Sequence, residues 1–113
     1  MEARLQSSVM VDALKRRAES SGGFAAILAK GDRDAGAILV ILAERGRKLR
    51  MLERALQPDG RYAWQDVGGQ TFENEQETST FLERRQKYDP DLWIIELDIA
   101  SAERFAAEMN LTL

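Results

Sequence analysis

Residues 37 to 44 read Ala-Ile-Leu-Val-Ile-Leu-Ala-Glu, and their reading decides the fold class. A strand with one face in water alternates apolar and polar side chains; this run does not alternate before Glu44. β-Branched and apolar residues on both alternating faces are the pattern of a central strand covered on both sides. Such a strand needs partners beside it and helices above and below, and the flanking sequence supplies both.

On the N-terminal side, Phe24 to Lys30 (FAAILAK) is short, apolar and bounded by glycines, which suits a second strand. Between the two runs lies Gly31-Asp32-Arg33-Asp34-Ala35-Gly36 (GDRDAG). It reads as a hairpin loop, with aspartate accepting backbone hydrogen bonds and glycine taking unusual φ. On the C-terminal side Arg45-Gly46 is a turn. Arg47 to Gln57 (RKLRMLERALQ) carries two signals. Leu49, Leu52 and Leu56 fall at helical spacing among good helix formers. As a strand, the segment pairs back on its predecessor across the short turn, with Leu49, Met51 and Ala55 on one face, and this is the adopted reading. Pro58-Asp59-Gly60 turns the chain. Arg61 to Val67 then alternates, with Tyr62 and Trp64 on one face, until Val67-Gly68-Gly69-Gln70 breaks it.

Helices flank these strands. Ser7 or Ser8 is placed to cap a first helix reaching about Ser20, with Met10, Ala13, Leu14 and Ala18 on its apolar face. Asn74 with Glu77 forms a capping-box pattern for a second helix. Glu75 and Glu77 in its first turn, and Arg84, Arg85 and Lys87 in its last, complement the helix dipole. Pro90 ends it by disfavouring helical geometry at Asp89. Leu92 to Ile99 (LWIIELDI) is another strand: Trp93, Ile95, Leu97 and Ile99 share the better buried face, while Leu92 and Ile94 share the other with Glu96 and Asp98. Ala102 to Asn110 is a short final helix that docks Phe105, Ala106 and Met109. The order helix, four strands, helix, strand, helix predicts a single α+β domain over residues 1–113. Its architecture is a mainly antiparallel sheet of about five strands packed against two or three helices.

The totals exclude several chemistries. At 113 residues the chain is one domain on the length prior, large enough to bury roughly 65% of its unfolded surface. There is no cysteine and no histidine. Thiolate chemistry, disulfides and zinc held by nitrogen or sulfur are therefore out, and so is the commonest general base. A net charge of −3 names no partner. The N-terminus (MEARLQSS) lacks the apolar core of a signal peptide, and the longest apolar run, Ala35 to Ala43, is about half a membrane-spanning helix. The expectation is a cytoplasmic protein without a membrane partner or a cofactor.

Three stretches carry a family likeness: RLQSS (residues 4–8) leading into a helix with KRRA (15–18), then GFAAILAKGDRDAGAILV (23–40), then DPDLWIIEL (89–97). In that order and spacing the chain resembles the alphaproteobacterial family called domain of unknown function 1491. The likeness covers roughly residues 3 to 98, and GDRDAG and DPDLW are its most specific parts. It implies one compact domain in a bacterial cytoplasm and brings no activity, substrate or catalytic residue with it.

Three groups of residues are candidate sites. GDRDAG has the outer glycines of a phosphate loop, but Ala37 and Ile38 stand where lysine and a hydroxyl are needed. As a calcium loop it opens with Asp32 and Asp34, but Gly36 and Ala37 occupy the fifth and sixth positions and Ala43 the closing one. A turn is the reading that needs nothing more. The carboxylates Asp89, Asp91, Glu96 and Asp98 are candidate metal ligands: the spacing resembles a nuclease pattern whose lysine position is here Asp98. Arg45, Arg47, Lys48, Arg50 and Arg54 are candidate nucleic-acid contacts, with Lys48, Arg50 and Arg54 on the face of Leu52 in a strand. The acidic total argues against nucleic acid, and lysine and arginine on an edge strand also guard against aggregation. Trp93 reads as a core anchor.

Elimination therefore points to a non-enzymatic binding or protein-interaction module, its partner an unidentified protein or a second copy of the chain through an edge strand. The alternative is a divalent-metal-dependent hydrolase or nuclease built on the four carboxylates, or a weak nucleic-acid binder through residues 45–54.

Overall fold

The run at residues 37–44 forms the middle strand of a five-stranded sheet. The computed structural model describes residues 6–67 and 73–112. Their elements are α1 (Ser7–Ser20), β1 (Phe24–Ala29), β2 (Ile38–Glu44), β3 (Arg47–Leu56), β4 (Tyr62–Asp66), α2 (Glu75–Tyr88), β5 (Trp93–Asp98) and α3 (Ala102–Thr112). The strand order is β1-β5-β2-β3-β4. β2 runs parallel to β5, and every other pairing is antiparallel. The fold is α+β with a mostly antiparallel sheet and three helices, as the element order predicts.

β2 lacks alternation because both its faces are covered. Ile38, Val40 and Leu42 join Met10, Leu14 and Ala18 of α1 and Phe105 and Met109 of α3 in the larger core. Leu39 and Ile41 point the other way, into a smaller core with Met51, Leu92 and Ile94, against which Phe81 and Leu82 of α2 rest half-buried. Full burial of one Leu or Ile side chain stabilises by about 1.5–3 kcal/mol, so the six buried residues Ile38 to Ala43 make this strand the centre of the fold. β5 divides as its sequence reads: Trp93, Ile95, Leu97 and Ile99 lie in the larger core, Leu92 and Ile94 in the smaller.

The segment after β2 is a strand. Arg45 and Gly46 both take left-handed φ, 51° and 80°, the requirement of a two-residue type I′ hairpin turn. That turn returns β3 along β2, and the helical leucine spacing goes unused: Leu52 is buried, Leu49 and Leu56 exposed. The pairing slips by one residue after Leu42↔Arg50, so that Ala43 faces Lys48 and Leu49 is the extra residue of a bulge. A one-residue slip turns every following side chain over. Lys48 is thus on the α2 face and does not share the face of Arg50, Leu52 and Arg54, contrary to the sequence expectation.

Two further expectations are corrected. GDRDAG does not close a hairpin, because β5 lies between β1 and β2; the loop carries the chain across the start of β5. α1 is capped by neither serine. Its N-cap is Gln6, which makes no side-chain capping bond, and Ser7 is the first helical residue. α2 starts as predicted, with the Asn74 side chain accepting from the amides of Gln76 and Glu77, and it ends at Tyr88 ahead of an extended Asp89. The Gly68-Gly69-Gln70 part of the strand-ending signal lies outside the described residues.

Candidate functional site

GDRDAG is a junction between three elements. Its backbone amide at Asp32 donates to the Asp91 carbonyl at 2.9 Å, and the Asp32 carbonyl accepts from the Trp93 indole at 2.7 Å. The Ala37 carbonyl accepts from the Trp93 amide, which starts β5. Toward the helix, the carbonyls of Asp34 and Arg33 accept from the amides of Ser7 and Ser8, satisfying amides that a helix N-terminus leaves open. The Ser7 hydroxyl donates back to the Gly36 carbonyl at 2.6 Å, although Ser7 is nearly fully buried. The glycines serve close approach rather than unusual φ: a Cβ on Gly31 or Gly36 would stand 2.1 or 2.2 Å from the Asp91 carbonyl oxygen. The Asp32 carboxylate is a local tie, accepting from the amides of Asp34 and Ala35. Asp32 therefore meets Asp91 through backbone, and the loop is an architectural clamp.

The four candidate carboxylates occupy the two ends of β5. Asp89 and Asp91 precede it, while Glu96 and Asp98 lie in its second half. At about 3.3 Å per residue the extremes are on the order of 20 Å apart. Each of three has its own partner. Asp89 accepts from the Asp91 amide, Glu96 pairs with Lys48 at 3.5 Å, and Asp98 accepts from the amides of Arg45 and Gly46 at 2.9 and 2.6 Å. Asp98 thus stabilises the left-handed β2–β3 turn. Among the described residues no group of three or more Asp, Glu, His or Cys side chains is assembled as metal ligands.

The five basic candidates do not present one surface either. Lys48 is engaged with Glu96, and Arg50 makes a two-pronged pair with Asp66 at 3.0 and 2.8 Å. That hydrogen bond is the main reason the Asp66 carboxyl lies below the usual aspartate range and Arg50 above the usual arginine value. Arg54 sits over the ring of Tyr62, 4.7 Å from its centroid. Arg45 and Arg47 are exposed at the turn. Of the two aromatics that follow on β4, Trp64 is core and Tyr62 is 37% exposed.

Two features escape the sequence reading. One is a cavity of about 280 Å³ lined by Ser7, Met10, Asp34, Ile38, Arg54 and Tyr62 among others. Its walls come from three remote segments, so no local motif announces it. The other is the surface of β1, an edge strand whose Phe24 is 75% exposed, Ile27 46% and Leu28 51%. The signal was present: FAAILA contains no charged residue, an unusual composition for an open edge. The opposite edge is closed. The side chain of Asn110 in α3 accepts from the Trp64 amide at 2.7 Å and donates to the Trp64 carbonyl at 3.0 Å, taking the backbone groups of β4 that another strand would use.

Comparison with known proteins supplies a family. The model of a protein family of unknown function, DUF1491, matches residues 5–107. The crystal structure of a DUF1491 family protein from Caulobacter crescentus CB15 is similar at 33% identity and a TM-score of 0.77, covering 90% of this chain and 94% of that one. An NMR structure of a DUF1491 family protein from the same organism is similar at 34% identity, with a TM-score of 0.76 and coverage of 93% and 94%. The solution structure of a protein from A. tumefaciens is 31% identical, with a TM-score of 0.68 and coverage of 92% and 93%. No curated protein matches the chain. Among the described residues no helix is long and apolar enough to cross a membrane.

Proposed function

The chain belongs to the DUF1491 family, whose function is unknown, and from that premise we propose that the domain is a protein-interaction module that self-associates through β1. The observation that carries this reading is the apolar, uncharged edge strand. Soluble proteins blunt such edges with lysine, proline, bulges or a covering element. β1 has one register shift, between Ile27 and Ala29, and otherwise offers a row of outward backbone groups flanked by Phe24, Ile27 and Leu28. Pairing of an edge with a further strand satisfies those groups and buries the side chains.

Geometry selects the register. Across a two-fold axis normal to the sheet, opposed residues must lie on the same face. Ala25 and Ile27 share the face of Leu97 and Ile95, their partners in β5, while Phe24 shares that of Asp98. Leu28 lines a groove with Lys48, Glu96 and α2, on the Phe24 side. An antiparallel pair centred on Ala26 therefore sets Phe24 against Leu28 of the second copy and Ala25 against its Ile27. A six-residue strand is small beside a standard interface of about 1,600 Å², so association is weak and concentration-dependent.

Sedimentation equilibrium over a wide concentration series tests the reading. The average mass rises from 12.7 kDa toward twice that value, and Phe24→Lys holds the protein at the monomer mass with an unchanged melting temperature. A wild-type protein that stays at 12.7 kDa throughout removes self-association from consideration.

A further inference from the structure

Phe24 and Leu28 stand at opposite ends of β1 on the α2 side of the sheet, in different surroundings. The Phe24 ring is 75% exposed. Its neighbour across the sheet is Asp98, whose carboxylate is committed to the amides of Arg45 and Gly46. Leu28 is the residue skipped by the register between Ile27 and Ala29, and a bulged residue is freed from its strand partner and re-aimed. It forms the outer sill of a groove of about 410 Å³ between the edge of the sheet and α2. Thr78, Ser79 and Leu82 of α2 form the wall above, and Lys48 and Glu96 the floor below. Leu82 is itself packed half-buried on the smaller core, so the groove has an apolar lip on both sides of its mouth.

One strand thus carries an apolar projection at one end and a groove with an apolar mouth at the other. Within one molecule the two cannot meet, because four residues of extended chain hold them on the order of 13 Å apart. Parallel pairing of two β1 strands would set ring beside ring. Antiparallel pairing about a two-fold axis brings each ring to the other copy's groove, and does so twice. Resting on the association of β1 strands proposed above, we propose that the groove behind Leu28 receives the Phe24 ring of a second copy. α2 then forms half of the interface, through Leu82 and Thr78. A short strand ladder alone lacks a buried anchor, whereas an aromatic side chain buries about 150–250 Å², and such anchors carry most of an interface's energy. Lys48 and Glu96 on the floor are paired with each other, so a ring laid across them strands no lone charge. The arrangement selects self over other strands: an unrelated strand added to β1 satisfies the backbone but brings no ring at this offset.

An isotope-filtered NOE experiment on an equal mixture of ¹³C-labelled and unlabelled full chain tests this, with sedimentation equilibrium on the same samples. Intermolecular NOEs are expected from the Phe24 ring to the methyls of Leu28 and Leu82. Phe24→Ala and Leu28→Ser, both at exposed positions, should each weaken association about tenfold or more with the melting temperature unchanged. A dimer that shows NOEs between the two Ala26 residues but none from Phe24 to α2 overturns the groove and leaves the strand pairing in place. Phe24→Ala associating as tightly as wild type overturns it in the same way. A mass fixed at 12.7 kDa with no intermolecular NOE removes the pairing and the groove together.

Discussion

At the β4 edge the backbone amide and carbonyl of Trp64 are both taken by one side chain, Asn110, and charged Asp66 stands close by, paired with Arg50. At the β1 edge Phe24, Ile27 and Leu28 are exposed and no charged residue interrupts the strand. The two edges belong to the same sheet and differ in length by one residue, so strand geometry does not separate them. What differs is the covering layer. α3 reaches β4 and supplies an amide in the place of a sixth strand, whereas α2 rests on the smaller core, which takes only Ala29 from β1, and leaves Phe24 bare. Closure of an edge is therefore a local act of one or two side chains, and each can be removed or added.

The largest effect is expected where β1 is put at the edge in the first place. Gly31→Ala would drive a Cβ into the Asp91 carbonyl, with backbone on the receiving side and no flexible side chain to yield. A loss of about 3 kcal/mol or more is expected in denaturant unfolding, with Gly36→Ala behaving alike; near-wild-type stability in both would show that the clamp is slack. Next comes Asn110→Ala, which strips the β4 edge and leaves one donor and one acceptor for water to recover, at a cost of about 1–3 kcal/mol. If the closed edge matters as argued, this variant also gains concentration-dependent association that Phe24→Lys does not suppress.

Smaller still is the acid response of the β4 edge. Asp66 has a lowered folded-state pKa, so its contribution is present above the unfolded aspartate value and is lost as pH falls through the folded one. Its side chain is 60% exposed, and exposed pairs of this kind contribute at most about 1 kcal/mol. Asp66→Asn should flatten that slight acid dependence; an unchanged pH–stability curve would assign it to other groups. Smallest is the stability effect of Phe24→Lys, expected within about 0.5 kcal/mol of wild type because the side chain is exposed. A large loss there would mean that β1 needs Phe24 within the monomer.

How much of this was legible depended on the range of the interaction. β2, β5 and the Arg45-Gly46 hairpin were readable because periodicity and turn chemistry are local. The strand reading of residues 47–57 followed from that turn. The neighbour of β1 was not readable, since a hairpin to β2 and an inserted β5 share the same local pattern. The eight residues from Lys30 to Ala37 between the strands exceed the usual hairpin length of about 2–5, and that excess was the available clue. The Leu49 bulge, which sends Lys48 to Glu96, leaves no mark in the apolar pattern. Glu44 accepting from the Ala102 amide at the start of α3 joins residues far apart in sequence, as do the walls of the cavity. Sequence alone gave their types and could not place them together.

The position of β5 bears on the order in which the molecule is assembled. It is the last strand in chain order, yet it lies between the first two, with Phe24 opposite Asp98 on one side and Ile38 opposite Trp93 on the other. A nascent chain that has emerged only through α2 holds β2, β3 and β4 as a meander, with β1 lacking its partner and a slot open beside β2. Both long loops close in one step when β5 enters, which makes that insertion the slow, non-local event of folding. Until then two apolar strands stand open rather than one, so synthesis stalled before residue 93 would yield a species far more prone to aggregate than the finished domain.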